Sequence, residues 1–279
     1  MHENEQATPV NYKISGQSNL NTILVHGIPS SHREWDDLTP DLVSAGFSTI
    51  ALDLLGHGDS FKPDDRKNYN ADCSYAFFQE WIKSLQLDRP CVLIGHSFGG
   101  HLSIRYAFEN PAQVGALVLI NPFLSFQQMT GFQRFFLSYP SLMVFLLKII
   151  PLKLIKICVR LASLTWVDKQ IRSSLSESTL ACMVADYKKC SPNIANIPHT
   201  VNNSRVDYSE IKIPVFLLWG DRDSTLTTDW YEDVARRIPD CTTCKIRADH
   251  YPHRTHAQKV NGKIVEFLKT RLFLVKSPG

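Results

Sequence analysis

Short apolar stretches alternate with amphipathic stretches along most of the chain. The apolar stretches are rich in branched side chains and suit buried strands, and they cover residues 22–25, 48–52, 91–94, 116–120, 215–219 and 243–247. Between them, apolar residues recur at helical spacing in 35–45, 75–85, 101–108, 228–237 and 257–268. Buried strands that alternate with helices are typical of a parallel sheet covered on both faces. The pattern therefore predicts an α/β fold with a doubly wound, mostly parallel sheet.

A serine stands between two glycines directly after one of these predicted strands. The stretch 91–94 leads into Gly95-His96-Ser97-Phe98-Gly99, and helical spacing begins after Gly100. At a sharp turn from strand to helix the serine backbone is strained, and small neighbours let the strand and the helix approach each other. The sequence therefore predicts that Ser97 is a nucleophile at such a turn. Because a serine hydroxyl is a weak nucleophile at neutral pH, it also requires a base, an acid and oxyanion donors.

Further motifs follow the other predicted strands in a fixed order. His26-Gly27-Ile28-Pro29 follows the first strand, and the motif Asp-Leu-Leu-Gly-His-Gly-Asp-Ser at 53–60 follows the second. Gly220-x-x-Asp223 comes after 215–219, and His250 lies ahead of the last amphipathic helix. Together with the serine motif, these features resemble the α/β-hydrolase superfamily from about residue 22 to residue 267.

The resemblance implies which residues complete the catalytic set. In this superfamily an acid and then a histidine follow the serine, each just past a later strand. The usual acid is the fourth residue of Gly-x-x-Asp, which corresponds to Asp223 and leaves Asp221 as the alternative. His250 corresponds to the base. The family commonly has glycine before this histidine, whereas this chain has Asp249, so the loop geometry is expected to differ there.

The same resemblance implies an oxyanion hole built from two backbone N–H groups. One belongs to the residue after the nucleophile, Phe98, and the other to Ile28 in the loop after the first buried strand. Gly27 and Pro29 would shape that loop so that the Ile28 N–H points into the site. The alternative interpretation is an ordinary turn at the end of a strand.

The segment 122–207 interrupts the alternation of strand and helix. It lies where capped α/β-hydrolases insert a helical lid, so the resemblance implies a hydrolase core at 1–121 and 208–279 and a helical cap at 122–207. The cap contains the most apolar stretches of the chain, at 135–137, 142–147 and 149–150. Pro140, Lys148 and Pro151 interrupt them, and spanning a bilayer takes about twenty apolar residues, so a transmembrane helix is not expected.

Three roles for these apolar side chains remain open. They pack on the sheet domain, they form the roof of a pocket for a lipophilic substrate, or they contact a membrane surface. The last role is suggested by basic residues that accompany the apolar ones, namely Lys148, Lys153, Lys156 and Arg160.

Composition agrees with one globular enzyme. The chain has 279 residues and is 44% hydrophobic, and its 30 basic residues nearly balance 27 acidic ones, for a net charge of +3. Nothing here indicates nucleic-acid binding. The polar residues 1–6 lack the basic and apolar regions of a signal peptide, so a cytoplasmic location is expected.

The cysteines and the late histidines offer two weaker site candidates. Seven scattered cysteines do not suggest a disulfide framework, and Cys91 and Cys158 are expected to pack as small apolar residues. Cys241 and Cys244 have the C-x-x-C spacing of zinc or redox sites, but no second pair completes a zinc set. His250, His253 and His256 recur every three residues; we expect the last two to face solvent rather than to bind a metal.

These features predict acyl transfer without a metal or an organic cofactor. His250 would deprotonate Ser97 for attack on a carbonyl, and water would then release the acyl group. The expected substrate is a lipophilic ester, with thioesters and lactones as variants. Some motifs resemble the capped branch that includes epoxide hydrolases and haloalkane dehalogenases, but those enzymes use an aspartate nucleophile. A carbon–carbon bond hydrolase and a ligand receptor or scaffold with little turnover remain alternatives.

Overall fold

The computed structural model describes residues 9–151, 154, 177–202 and 205–272, and within these residues seven strands form a single sheet. The strands are β1 (Tyr12–Ser15), β2 (Asn21–Val25), β3 (Ser48–Leu52), β4 (Cys91–His96), β5 (Val114–Ile120), β6 (Val215–Gly220) and β7 (Cys241–Ile246). Their order is β1-β3-β2-β4-β5-β6-β7, and every pairing is parallel except that of β1 with β3. The predicted doubly wound, mostly parallel α/β fold is confirmed.

The two edges of the sheet differ from the sequence prediction. Strand β1 was not predicted because its side chains are mostly exposed and form no apolar run. Strand β7 begins at Cys241, whereas the prediction began it two residues later; its side chains are only partly buried over most of its length. Edge strands pack against fewer neighbours, so their hydrophobic pattern is weaker.

Helices connect the strands. They are α1 (Thr39–Ser44), α2 (Ala71–Ser84), α3 (Phe98–Glu109), α4 (Gly131–Leu137), α5 (Pro140–Ile149), α6 (Glu177–Lys189), α7 (Asp229–Arg237), α8 (Pro252–Thr255) and α9 (Ala257–Leu272). The predicted helix at 35–45 is divided into a 3-10 helix, His32–Trp35, and the later α1. Helix α3 begins at Phe98, directly after the central strand β4.

The strands bury side chains on both faces of the sheet. In β4, Leu93 joins a core on one face, whereas Val92 and Ile94 join a core on the other. Helices α2, α3 and α7 contribute to the first core, and helices α1 and α9 contribute to the second. With both faces covered, ligands of such a sheet bind beyond the carboxyl ends of its strands.

The chain between β5 and β6 contains α4, α5 and α6. Large apolar side chains on α4 and α5 are exposed, and they are Phe132, Phe135, Phe136, Leu142, Phe145 and Ile149. Tyr139, between the two helices, is exposed as well. In the described part of the chain no helix combines the length and the apolarity that crossing a membrane requires. Four residues discussed above lie outside the described residues: Lys153, Lys156, Cys158 and Arg160.

Candidate active site

Ser97 occupies the turn between strand β4 and helix α3. Its φ of 50° and ψ of −117° lie in a region that non-glycine residues rarely adopt. A Cβ on Gly95 would overlap the backbone of Gly99, and a Cβ on Gly99 would overlap the carbonyl oxygen of Val25. The flanking glycines are therefore needed for the close approach of strand and helix, and the turn holds the Ser97 side chain at the carboxyl edge of the sheet.

The structure brings Ser97, His250 and Asp223 together. The Ser97 Oγ lies 3.1 Å from His250 Nε2, and His250 Nδ1 lies 2.7 Å from Asp223 Oδ2. These side chains follow β4, β7 and β6, respectively, so the parallel sheet places three distant segments at one edge. Because a carboxylate only accepts hydrogen bonds, Nδ1 carries the proton of the neutral imidazole and Nε2 is free to accept the Ser97 proton.

Asp223 is held by a set of hydrogen bonds. Its Oδ1 accepts from the backbone N–H groups of Thr225 at 2.7 Å and Leu226 at 2.9 Å. Burial by itself would raise the pKa of Asp223, but the charge and hydrogen bond of His250, together with the hydrogen bond from Leu226, outweigh burial and lower it. The alternative acid, Asp221, is exposed and lies 3.9 Å from the guanidinium of Arg222. Asp223 is thus the carboxylate that meets the histidine.

Asn121 is a site residue that the sequence analysis missed. Its Nδ2 donates to Asp223 Oδ2 at 2.6 Å, and its Oδ1 accepts from the Gly220 N–H at 3.2 Å. The side chain is fully buried, and its φ of 41° lies in the left-handed region, which asparagine tolerates better than most residues. The available signal was a polar residue followed by proline directly after the apolar strand β5.

The pKa of His250 is raised above its usual value. Burial opposes the charged imidazolium, but the charge and hydrogen bond of Asp223 outweigh burial, and Asp249 and Glu34 act in the same direction. With a raised pKa, His250 binds a proton more strongly, including a proton taken from the Ser97 hydroxyl. The arrangement therefore favours general-base action.

Ile28 lies in the loop that follows β2, and His26 orients this loop. The His26 Nε2 accepts from the Leu54 N–H at 3.0 Å, so its Nδ1 carries the proton and donates to the Gly27 carbonyl at 2.7 Å. The Gly27 carbonyl and the Ile28 N–H belong to one peptide group and point in opposite directions. By donating to the Gly27 carbonyl, His26 therefore also fixes the direction of the Ile28 N–H.

Both predicted oxyanion donors belong to segments next to the serine. A Cβ added to Gly27 would lie 3.0 Å from Ser97 Cβ, so the loop that bears Ile28 passes against the nucleophile. Phe98 is the first residue of α3, where backbone N–H groups have no acceptor within the helix. The segments that bear these two amides therefore lie next to Ser97.

Asp249, which replaces the glycine common in the family, stabilises the histidine loop. Its Oδ1 accepts from the Tyr251 N–H at 3.1 Å and from the Thr255 hydroxyl at 2.9 Å. These bonds connect the residue before His250 to helix α8. The carboxylate therefore ties the loop in place through its side chain.

The prediction that His253 faces solvent is wrong. His253 is only 1% exposed because helix α8 turns it inward, where its Nε2 lies 3.2 Å from Glu34 Oε1. His96 Nδ1 lies 2.7 Å from the same oxygen. His256, by contrast, is partly exposed. The periodicity of the histidines gave no sign of this burial, because Glu34 comes from a distant part of the chain.

Glu34, His96 and His253 also have the side chains of a metal site. One ligand atom from each lies within 4.8 Å of the others. Around a tetrahedral zinc with bonds of 2.0–2.1 Å, ligand atoms are about 3.3 Å apart, which is wider than the 2.7 Å between His96 and Glu34. We interpret the cluster as a buried carboxylate held by two imidazole rings. The C-x-x-C pair does not form a site either, since Cys241 and Cys244 pack against the cores on opposite faces of β7.

A model of the alpha/beta hydrolase family matches residues 22–263. Epoxide hydrolase 3 of Xenopus tropicalis is 26% identical over 265 residues, which cover 88% of this chain and 71% of that protein.

Two solved structures illustrate the similarity of fold. Bromoperoxidase from Bacillus anthracis superposes with a TM-score of 0.75 and is 21% identical, over 95% of this chain and 97% of the other. The enol-lactonase from Burkholderia xenovorans LB400 has a TM-score of 0.77 and 15% identity, over 95% and 98% of the two chains. At these identities the superpositions show a shared fold, and function has to be argued from the site.

Proposed function

The chain belongs to the alpha/beta hydrolase family, and from that premise we propose that it is a serine hydrolase that cleaves carboxylic esters, thioesters or lactones through an acyl-enzyme intermediate. The observation that carries the proposal is the unbroken contact from Ser97 Oγ through His250 to Asp223, at 3.1 Å and 2.7 Å. The hydrolase class itself agrees with the names of the relatives.

The geometry supports a two-step mechanism. His250 Nε2 takes the Ser97 proton while the serine oxygen attacks the substrate carbonyl, and Asp223 stabilises the imidazolium. The Ile28 and Phe98 N–H groups bind the oxyanion. Collapse of the tetrahedral intermediate breaks the bond to the leaving group, which receives the proton from His250. Water then repeats the sequence on the acyl-enzyme and releases the acid.

Epoxide hydrolysis is a second candidate because relatives carry that name. Attack of Ser97 on an epoxide carbon would open the ring and leave a serine ether. An ether has no acyl carbon that water could attack, so the enzyme would remain alkylated after a single reaction. An aspartate nucleophile would instead form an ester, which water can cleave. The serine at position 97 therefore favours carbonyl substrates.

We further propose that 122–207 is a helical cap and that the substrate is lipophilic. The support is the exposed apolar surface of α4 and α5, which carries Phe132, Phe135 and Phe145 among others. Apolar surfaces of this kind commonly bind ligands or partners. A lipophilic acyl chain is the partner that fits an ester hydrolase.

A labelling experiment tests the reaction class. A fluorophosphonate probe should label the protein, and Ser97→Ala should abolish the label. Turnover of nitrophenyl acetate and decanoate should follow, with a higher kcat/KM for the decanoate, while an epoxide such as styrene oxide gives no diol. Diol formation faster than ester cleavage would favour the epoxide hydrolase, and labelling without turnover would favour a receptor. Preference for the acetate would contradict the lipophilic substrate.

A further inference from the structure

A buried carboxylate lies behind the candidate triad and contacts the loop after β2, the end of strand β4 and helix α8. Glu34 belongs to the 3-10 helix His32–Trp35 and is 1% exposed. Its Oε1 lies 2.7 Å from His96 Nδ1 and 3.2 Å from His253 Nε2, and its Oε2 accepts from the Gly27 N–H at 3.4 Å. A buried charge is unfavourable unless partners compensate it. These contacts supply the compensation.

His96 connects this carboxylate to the histidine of the triad. Its Nε2 lies 2.8 Å from the backbone carbonyl oxygen of His250, and because that oxygen only accepts, Nε2 carries a hydrogen and donates. Its Nδ1 faces Glu34 at 2.7 Å, although the two atoms are not aligned as a hydrogen bond, so the contact is mainly electrostatic. Glu34 thus acts on the His250 backbone through one intervening ring.

The charge state follows from the surroundings of Glu34. Burial by itself would raise the pKa of Glu34, but the neighbouring His96 and His253 outweigh burial and hold that pKa well below its usual value. The pKa of His253 is lowered to about 4, chiefly by burial, so its ring is neutral at pH 7. Glu34 is therefore ionised at pH 7, and its contacts with the two rings and with the Gly27 N–H compensate its charge.

We propose that Glu34 and His96 are positioning residues for the triad. The proposal rests on the proposed serine hydrolase function. His96 precedes the nucleophile in sequence, Gly27 precedes the oxyanion residue Ile28, and the His250 carbonyl belongs to the base itself. One carboxylate therefore sets the spacing of the oxyanion loop, the nucleophile turn and the base loop. Neither residue touches the substrate; both act by restricting backbone that carries reacting groups.

The first test is Glu34→Gln in the full chain, which keeps the shape and removes the charge. Misplacement of a reacting group by about 1 Å lowers rates about 100-fold, so we expect labelling of Ser97 by a fluorophosphonate to slow by about 10- to 100-fold. For nitrophenyl ester turnover, kcat should fall while KM stays within about twofold, because the substrate contacts are unchanged. Glu34→Asp, which retains the charge, should recover part of the rate.

The matched control is Arg33→Gln on the same 3-10 helix. Its guanidinium forms an ion pair with Asp186 on helix α6, at 3.4 Å. This variant should label at the wild-type rate. Equal slowing in Arg33→Gln and Glu34→Gln would show that any disturbance of the helix slows the reaction, and it would overturn the proposal.

A pair of His96 variants keeps the proposal testable if Glu34→Gln does not fold. The amide nitrogen of glutamine reaches the position of a histidine Nε2, whereas that of asparagine reaches only the position of Nδ1. His96→Gln therefore retains the donor to the His250 carbonyl, and His96→Asn loses it. We expect His96→Gln to react at least about tenfold faster than His96→Asn. Equal rates would overturn the proposal.

A pH profile separates positioning from simple loss of stability. The charged and titratable groups that act on or contact His250 are Asp223, Asp249, Glu34, His96 and Tyr251. His253 lies behind Glu34, at 3.2 Å. Glu34 is one of the charges that raise the pKa of His250, so Glu34→Gln should move the acidic limb of kcat to lower pH. A variant with a lower Tm, an unchanged profile and an unchanged labelling rate would show that the contact is merely structural.

Two measurements distinguish this proposal from its alternatives. If the fluorophosphonate does not label the wild-type protein, the proposed serine hydrolase function fails. The positioning of His250 can then be followed by the low-field NMR signal of its Nδ1 proton, which should broaden in Glu34→Gln. If that signal is unchanged, the positioning proposal also fails. Metal analysis of the purified protein provides the last test. A stoichiometric metal that Glu34→Gln removes would show that the cluster is a metal site instead.

Discussion

Replacing Asn121 with glycine tests whether its side chain orients the acid of the triad. The asparagine amide donates to Asp223 Oδ2 at 2.6 Å and accepts from the Gly220 N–H at 3.2 Å. Glycine removes both bonds and adopts the φ of 41° at position 121 without strain. Alanine would add backbone strain to the loss of the bonds. Asn121→Gly is therefore the cleaner perturbation.

The effect on rate follows from one charge-assisted hydrogen bond. Such a bond contributes about 1.5–3 kcal/mol, and about 1.4 kcal/mol corresponds to a tenfold change in rate. Asp223 keeps its bonds from Thr225, Leu226 and His250, so it stays ionised but rotates more freely. We expect kcat/KM on a nitrophenyl ester to fall by about 10- to 100-fold.

The effect on stability should be small because two terms oppose each other. The buried Gly220 N–H loses its acceptor, which costs about 1–3 kcal/mol. Release of asparagine from the left-handed region returns less than the about 1–2 kcal/mol expected for other side chains, because asparagine tolerates that region better. A net change near 1 kcal/mol shifts Tm by about 2–4 °C in a chain of this size. Activity should thus fall far more than the folded fraction.

Gln86→Gly is the matched control for the backbone. Gln86 has a φ of 47° and is exposed, and it lies outside the candidate site. It should keep wild-type activity and an equal or slightly higher Tm, since only strain is released. The assay is ester turnover together with calorimetry on both variants and the wild type. An Asn121→Gly enzyme within twofold of wild-type activity would refute the orienting role.

Three further experiments test the acid, the serine turn and the protonation of His250. Asp223→Asn should lower kcat by about 10³- to 10⁴-fold because the histidine loses its anionic partner. Asp221→Asn should change kcat by less than about twofold. Equal losses of kcat in steady-state assays would contradict the assignment of Asp223 as the acid. Gly99→Ala should give unfolded protein in circular dichroism, because the added Cβ overlaps a carbonyl oxygen of β2. In the control Gly262→Ala the added Cβ meets no atom within 4 Å, so this variant should stabilise helix α9 by about 0.5–1 kcal/mol. A folded Gly99→Ala enzyme would show that the turn can relax. The pKa of His250 is raised above 6.5, so the catalytic rate should be lost as pH falls through that raised pKa. The contribution of His250 to stability has the opposite dependence: it is fully present below pH 6.5 and is lost as pH rises through the raised pKa. An activity midpoint below 6.5 would contradict the charge arrangement.

Much of the fold was predictable because the central strands carry a strong local signal. Strands β2 to β6 are buried on both faces, so their residues are almost uniformly apolar and stand out from the amphipathic helices between them. Strand β1 escaped prediction because it lies at the edge of the sheet. Its side chains are mostly exposed, and its pairing with β3 depends on a partner that is distant in sequence.

The candidate site also contains residues that the sequence predicted and residues that it did not. Ser97, Asp223 and His250 were predictable because each follows a recognisable strand and belongs to a motif, and the parallel sheet then brings them together. Asn121 and Glu34 belong to none of the motifs considered. Their roles depend on which side chains meet across the carboxyl edge of the sheet.

By itself, the sequence predicted six of the seven strands in their order, the serine turn after β4, the candidate base His250 and the candidate acids Asp223 and Asp221. These depend on local hydrophobic periodicity and on short motifs. Only the tertiary structure decided that His253 turns inward and that a carboxylate lies beneath the triad. A buried charge is tolerated only where partners from several segments converge on it, and that convergence is a property of the folded chain.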